Sequence, residues 1–505
     1  MDQYVIGIDN GGTLAKAVVF NVAGEEIGSA SGKIDIIEPL PGYTERNMDV
    51  LWDVNALIIK EAIANSGVRP KDIIGVSCTG HGKGIYLWGK DNKPAYNGIV
   101  STDSRAWQIE ASYYSDGTYD QVYDKIYQRI LACQPVCLLK WLKEIDRAVY
   151  DNIQHILSVK DYIRFMLTDE AYLEITDFSG TGLMNVAEAK TDQALLDAYG
   201  LPEVYDMLSP LKYSYENCGR VTAKAAEATG LIEGTPVSGG MFDIDACAIA
   251  MDVTSEDKLC VIAGTWSINE YIAKRPVTDG SIMMNSLFCM PDHYLIEECS
   301  PTSASNSEWY INMYMNEEKM LAEQKGVSIF DITDDMVASI DPVDSNVVFL
   351  PFLYGSNESS IAKASFVGLS SYHSKAHILT AVFEGIVYSH KTHIDRLLIN
   401  NKEAKVIRLA GGAAKSKVWV QMFANILQMP IEVIDVDELG ALGCAMSATI
   451  AAGTYESYEE AAKHMVKVKY KALPDISKKA IYEKKYKTYR QVVEALNGVW
   501  ESLAE

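Results

Sequence analysis

Asp243 and Asp245 stand where an apolar run, Val237–Phe242, comes to a stop just after Gly239-Gly240. A carboxylate at a strand end can accept the proton of an attacking hydroxyl, and phosphoryl transfer asks little other covalent work of a protein. One of the pair suits that base and the other a turn carboxylate; their spacing does not choose between them. Asp9 ends a second apolar strand beside Gly11-Gly12-Thr13. A carboxylate there can hold Mg²⁺, directly or through water, while the turn faces phosphate; it can equally be a turn cap. Gly264-Thr265-Trp266-Ser267 repeats that strand–turn–strand pattern about half a chain later. Its backbone N–H groups and hydroxyls could form a second phosphate wall. One such turn alone reads as a plain hairpin, whereas a pair in equivalent positions suggests duplicated lobes serving one phosphate chain.

Three further loops carry polar groups. Thr79-Gly80-His81-Gly82-Lys83-Gly84 follows the strand ending at Cys78, and its glycines predict an open loop on which His81 and Lys83 could grip a polyol. Asp103 and Arg105 form a second polar pair, by default a surface ion pair of small energetic weight. Gly411-Gly412 lies between a strand and a helix, where glycines let an adenine or ribose rest against the backbone.

The elements that must position these groups are legible from periodicity. Strands are predicted at Gln3–Asp9, Ala15–Asn21, Glu25–Ile34 and Ile73–Cys78, with a helix over Met48–Asn65 between the last two. That order predicts a mixed α/β sheet. Residues 100–215 read as mainly helical. The second half reopens with strands Leu259–Ala263 and Ile268–Ala273, then a helix over Ala376–Leu398, a strand over Lys405–Ala410 and a helix from Lys417. A small-residue helix covers Glu438–Ala451, and a charged helical tail runs over Ser477–Leu503.

A chain of 505 residues is too long for one core. Two domains are expected, at 1–252 and 253–505. The net charge of −23 argues against nucleic acid and anionic membrane as main partners. Nine scattered cysteines include no CxxC pair and match reduced thiols. With no charged-then-apolar leader and no run long enough to span a bilayer, a cytoplasmic protein is expected.

Taken together, these segments resemble the FGGY family of carbohydrate kinases over almost the whole chain. The C-terminal pattern of that family is similar to Ala364–Leu369, His377-Ile378 and Ala381–Gly385. Pro41–Arg46, Lys160-Asp161-Tyr162 and Phe349–Gly355 match other family segments. The resemblance implies an α/β fold of two actin-like (ribonuclease-H-like) ATPase lobes flanking a deep catalytic cleft, with the sugar mainly on the first lobe and ATP mainly on the second. It implies Asp243, not Asp245, as catalytic base and Asp9 as the Mg²⁺ ligand. It implies sugar contacts from His81, Gly82, Lys83, Asp103, Arg105 and Asp243. For ATP it implies the first turn with Gly11, Gly12, Thr13 and Lys16, the second with Gly264, Thr265 and Ser267, and an adenosine loop with Gly411, Gly412 and Ser416. Ile244, where the family often has a polar ligand, and the added Lys83 set the chain apart from D-xylulose and glycerol kinases. The loop Gly82–Gly84, Ser300–Ser303 and Pro351–Asn357 are similar to the branch acting on L-xylulose (3-keto-L-gulonate). The expected reaction is transfer of the γ-phosphate of ATP to a terminal hydroxyl of a ketopentose, L-xylulose first. D-xylulose, ribulose, glycerol and erythritol are the alternative substrates, and a non-catalytic actin-like ATPase or sugar sensor is the alternative class. The expected partner is a small sugar, and the sequence leaves a homodimer open.

Overall fold

The computed structural model describes residues 3–12, 14–357 and 359–504. The chain forms two compact units. The first comprises Met1–Thr254, Ile272–Ile296 and Val436–Val466; the second comprises Ser255–Tyr271, Glu297–Asp435 and Lys467–Glu505.

The first unit is built on strands β1 (Tyr4–Asn10), β2 (Leu14–Asn21), β3 (Glu26–Lys33), β4 (Ile73–Gly80), β5 (Asn217–Arg220), β6 (Pro236–Ser238) and β7 (Met241–Phe242). The sheet order is β5-β6-β4-β1-β2-β3, with β7 also on β4. The pairs β1/β2 and β2/β3 are antiparallel, while β4 runs parallel to β1, β6 and β7. The mixed sheet expected from the order of the segments is therefore present.

Helix α1 (Met48–Ser66) starts at Asn47, whose side chain accepts the Val50 N–H, and stops at Gly67 with φ 65°. Its Leu51, Ile58, Ile59 and Ala62 join Ile6 and Ile8 and residues of α2 (Val159–Thr168) in one apolar cluster. Strand alternation turns Gly7 and Asp9 to the other face. There the helix Leu439–Ala451 packs so closely that a Cβ on Gly7 would lie 1.9 Å from the Ala441 carbonyl oxygen. Any side chain at position 7 would lift that helix off the sheet. Segment 100–215 is helical with short strands interleaved. Helix α3 (Asp243–Ala250) follows β7 directly.

The second unit repeats the opening plan. β8 (Lys258–Ala263) and β9 (Ser267–Ala273) form a hairpin, and β10 (Tyr294–Ser300) flanks β9. Helix α4 (Lys375–Asn400) precedes β11 (Val406–Gly411), which runs parallel to β8. Helix α5 (Lys417–Leu427), β12 (Ile431–Ile434), β13 (Val468–Ala472) and α6 (Lys479–Leu496) follow. In both units a hairpin with a glycine turn has its first strand paired, in parallel, with a strand that leads into a glycine-bearing loop: Asp9 lies opposite Thr79, and Ala263 opposite Gly411. Among the described residues no helix is long and apolar enough to cross a membrane.

Candidate active site

Three neighbouring parallel strands of the first unit end side by side. β1 delivers Asp9 and Asn10, β4 delivers Thr79 and Gly80 and then His81, and β7 delivers Phe242 and then Asp243. Ligand sites of open α/β sheets gather at such carboxyl ends. Asp9 lies on one side of β4, opposite Thr79, and Asp243 follows Phe242 on the other side, opposite Gly80. Asp243 opens α3, where the unpaired N–H groups of a first turn favour an anion. It is partly exposed, whereas Asp245 has no exposed surface. That difference separates the two aspartates, which sequence spacing could not: a hydroxyl from solvent can meet only the first.

A buried polar network holds this strand end. The Phe242 N–H donates to Thr176 Oγ1 at 2.9 Å, and that hydroxyl donates to Glu174 at 2.8 Å. Glu174 also accepts the Ser214 hydroxyl at 2.7 Å and faces Lys160 Nζ at 3.3 Å. Lys160 pairs with Asp161 at 2.7 Å, and Asp161 pairs with Arg164 at 2.7 Å. Arg164 donates to the Gly239 carbonyl at 2.6 Å, just upstream of β7. Burial works to lower the Lys160 pKa, but Asp161, Glu174 and Asp177 overcome it and leave the ammonium raised. Asp177 is pushed up to about 7, first by burial and then by the Asp161 charge, against the pull of Lys160. Glu174 and Thr176 escaped sequence reasoning because they sit at one short strand–helix junction, and Ser214 because it lies in a distant turn. Lys160-Asp161 was visible only as part of a family segment.

The loop after β4 is not the open loop its glycines suggested. His81 is 6% exposed; its Nε2 lies 3.0 Å from the Tyr86 hydroxyl and its Nδ1 3.3 Å from the Gly82 carbonyl. Burial, aided by Arg46, lowers its pKa to about 4, so the imidazole is neutral at pH 7. A Cβ on Gly82 would fall 2.2 Å from the Phe242 ring, so this loop lies directly on the residue before Asp243. Lys83 is half-buried and adopts φ 61°.

Asp103 and Arg105 also depart from expectation. They form a buried cluster, not a surface pair. Arg105 donates to Asp103 and to Glu45, each at 2.8 Å, and both members of the first pair have side chains with 0% exposure. The guanidinium lies 4.2 Å from the Tyr43 ring centre and 5.2 Å from that of Trp141. Two carboxylates and two aromatic faces offset its desolvation, which is why a charged loop can sink into the unit. Asp103 in turn accepts the Thr44 N–H at 2.7 Å, so the pair fixes segment Pro41–Arg46. Arg46, fully buried, donates to the carbonyls of Gly11 and Gly12 and thereby anchors the first glycine turn. Thr13 lies outside the described residues.

Asp9 faces Lys16 across the hairpin, and Lys16 Nζ reaches Glu438 at 2.7 Å. A Cβ on Gly440 would sit 2.5 Å from Asp9 Oδ2. Burial lifts the Asp9 pKa to about 6; Lys16 opposes the rise and Glu438 adds to it. A cation would relieve the cost of ionising Asp9, and its oxygen donors suit a hard divalent ion. Among the described residues no group of three or more His, Cys, Asp or Glu is placed to hold a metal. An ion held at Asp9 would therefore draw most of its ligands from water or phosphate.

In the second unit, Gly264 N–H bonds back to the Trp266 carbonyl at 3.3 Å and closes the turn. The Thr265 carbonyl is held by the Ser303 N–H at 3.1 Å and the Ser305 hydroxyl at 3.2 Å. The Ser267 side chain is buried and turned toward His390, 3.0 Å away. Gly411, at φ 85°, ends β11, and Gly412 follows it, beside the Gly264 turn. Ser416 caps α5 by accepting the Trp419 N–H at 3.0 Å and donates to Asp334 at 2.6 Å.

Residues 4–250 match the model of the N-terminal domain of the FGGY family of carbohydrate kinases, and residues 259–452 match that of its C-terminal domain. The chain is 35% identical over 498 residues to a probable L-xylulose kinase of Haemophilus influenzae, covering 98% of this chain and 100% of that one. It is 34% identical over 507 residues to the L-xylulose/3-keto-L-gulonate kinase of Escherichia coli K12, covering 100% and 99%. The fold is shared with the ligand-bound xylulose kinase of Lactobacillus acidophilus, at a TM-score of 0.90 and 23% identity over 99% of this chain and 100% of that one.

Proposed function

Because the chain belongs to the FGGY family of carbohydrate kinases, whose members are ATP-dependent, we propose that it transfers the γ-phosphate of ATP to the terminal C5 hydroxyl of L-xylulose. The observation that carries the reaction is the placement of Asp243, the partly exposed one of the two aspartates, at the end of a strand braced by buried charges. Its carboxylate accepts the hydroxyl proton as the sugar oxygen attacks the γ-phosphorus. The bond from that phosphorus to the β–γ bridging oxygen breaks, and ADP leaves with the electron pair. Asp9, with Glu438 behind Lys16, is the proposed Mg²⁺ site; the ion would neutralise phosphate charge. The N–H groups of Thr265 and Trp266, in the turn that the Gly264 N–H closes, would face the polyphosphate, and Gly411-Gly412 would face the adenosine.

The sugar is assigned by the relatives' substrates and by the loop on Phe242. Both ring nitrogens of His81 point to protein partners, so His81 shapes the loop and Lys83 carries its charge. A lysine at this place also favours a second reading, a keto-sugar acid such as 3-keto-L-gulonate, whose carboxylate it would pair. A coupled ADP-release assay tests both readings against D-xylulose, D- and L-ribulose, glycerol and erythritol. The expected result is a kcat/KM for L-xylulose at least ~100-fold above its epimers, because unsatisfied buried polar groups penalise the wrong stereochemistry. A preference for D-xylulose, a ribulose or a polyol overturns the substrate assignment.

A further inference from the structure

Helix α4 carries a buried histidine that no step above uses. His390 has 0% exposure and touches three polar side chains of the second unit. Its Nδ1 lies 2.7 Å from Asn269 Oδ1 and 3.0 Å from Ser267 Oγ, and its Nε2 lies 2.7 Å from Ser303 Oγ.

The proton positions follow from the partners. Asn269 Nδ2 reaches the Glu298 carbonyl at 3.2 Å and Ser267 Oγ at 3.1 Å. A carbonyl only accepts, so the amide group of Asn269 is fixed with Oδ1 toward the ring. Nδ1 must then carry the proton and donate to Oδ1. Nε2 is left bare and accepts the Ser303 hydroxyl. Burial, reinforced by His393, pushes the His390 pKa down to about 3, so this neutral tautomer persists at all working pH.

Serine, histidine and asparagine in series also describe an activated nucleophile. Ser303, however, is 1% exposed, so no substrate reaches its hydroxyl. What Ser303 does reach is the glycine turn. Its N–H donates to the Thr265 carbonyl, and two residues on the Ser305 hydroxyl donates to the same oxygen. In a trans peptide the N–H points away from the carbonyl. Holding the Thr265 carbonyl on this side therefore presents the Trp266 N–H on the other.

We propose that His390 is a positioning residue for the nucleotide's phosphates: through Ser303 it fixes the orientation of the Thr265–Trp266 peptide. The role rests on the reading of Gly264–Trp266 as a phosphate-facing turn. It is separable from that reading by experiment.

Two variants break the relay, His390→Phe, which keeps the ring volume without an acceptor, and Ser303→Ala. Each should raise the KM for ATP ~10-fold while the KM for the sugar stays within ~2-fold, since one buried hydrogen bond is removed from one ligand's wall. Ser303→Thr restores the hydroxyl and should recover most of the ATP affinity. A merely structural histidine would instead raise both KM values or only lower the melting temperature, and either result overturns the proposal. Nitrogen-15 histidine spectra of the unsubstituted protein give a readout that survives misfolding of the variants. They should show His390 as the Nδ1–H tautomer, and an Nε2–H tautomer overturns the relay. Gly264→Ala separates the two layers of the argument, because its methyl would meet nothing nearer than Ile262 at 3.9 Å. If Gly264→Ala weakens ATP binding and the relay variants do not, the relay role fails alone. If Gly264→Ala leaves ATP binding unchanged, the phosphate-turn reading fails and takes the role with it.

Discussion

The Phe242 amide donates to the Thr176 hydroxyl at 2.9 Å, which ties the residue before Asp243 to a buried ion cluster through a single oxygen. Thr176→Val keeps the shape and removes that oxygen. The Phe242 N–H and Glu174 each lose a partner, at about 1–3 kcal/mol for an unmet buried group. Turnover should fall roughly 10-fold as Asp243 loosens, and Thr176→Ser should restore it. Unchanged kcat in Thr176→Val, measured alongside its melting temperature, would show that the tie does not position Asp243.

The two aspartates of α3 should respond differently. Asp243→Asn should lower kcat by roughly 10²–10⁴ while sugar binding persists. Asp245→Asn, at a site with no exposed surface, should act mainly on thermal stability. Steady-state kinetics and melting curves of both variants check this, and the reverse pattern would move the base to Asp245.

Asp9 gives stability a pH dependence of definite sign. Its pKa is raised to about 6 in the folded chain, above the ordinary carboxylate value, so the folded state holds the proton more tightly than the unfolded one. Its favourable contribution is complete below about pH 4 and is lost as pH rises through about 6. In metal-free protein, Asp9→Asn should therefore melt higher than the unsubstituted chain at pH 8, by on the order of 2 °C, with the gap closing toward pH 5. In the same variant, added Mg²⁺ should lose its effect on turnover. A gap independent of pH would mean that Asp9 is ionised without penalty.

Lys160 holds together a group of carboxylates that have few other cations. Lys160→Met leaves Glu174 and Asp177 buried without it and should cost about 3–5 kcal/mol of stability. Urea denaturation of the first unit's signal measures the loss. A shift under about 1 kcal/mol would show that the carboxylates reprotonate freely.

Much of this architecture was legible along the chain. The apolar runs in Val5–Ile8 and Leu259–Ala263, broken by glycine turns, marked both hairpins, and the spacing in Met48–Asn65 marked α1 to within a residue. What sequence misplaced were charged and polar residues in loops. His81 and Arg105 sit among glycines and serines, a local composition that signals exposure; Tyr43, Trp141 and Glu45, which bury Arg105, come from elsewhere in the chain, while Tyr86, which meets His81, lies five residues on. The support of Asp243 was hidden for the same reason, because the local Glu174–Thr176 cap meets Phe242, Ser214 and Lys160 only once the chain has folded. Asp9 and its turn were visible, but Glu438, which completes its charge environment, lies more than four hundred residues away.

The return of helix Leu439–Ala451 to the face of β1 has a consequence for how the protein is made. The strand that carries Asp9 leaves the ribosome more than four hundred residues ahead of the helix that covers Gly7. At about 5–20 residues per second, that interval is roughly 20–90 seconds. Throughout it, one face of the nascent sheet stays bare to its surroundings. A fragment ending near residue 252 would be held in that condition permanently, which makes this half a natural client for a holding chaperone and a poor choice for expression on its own.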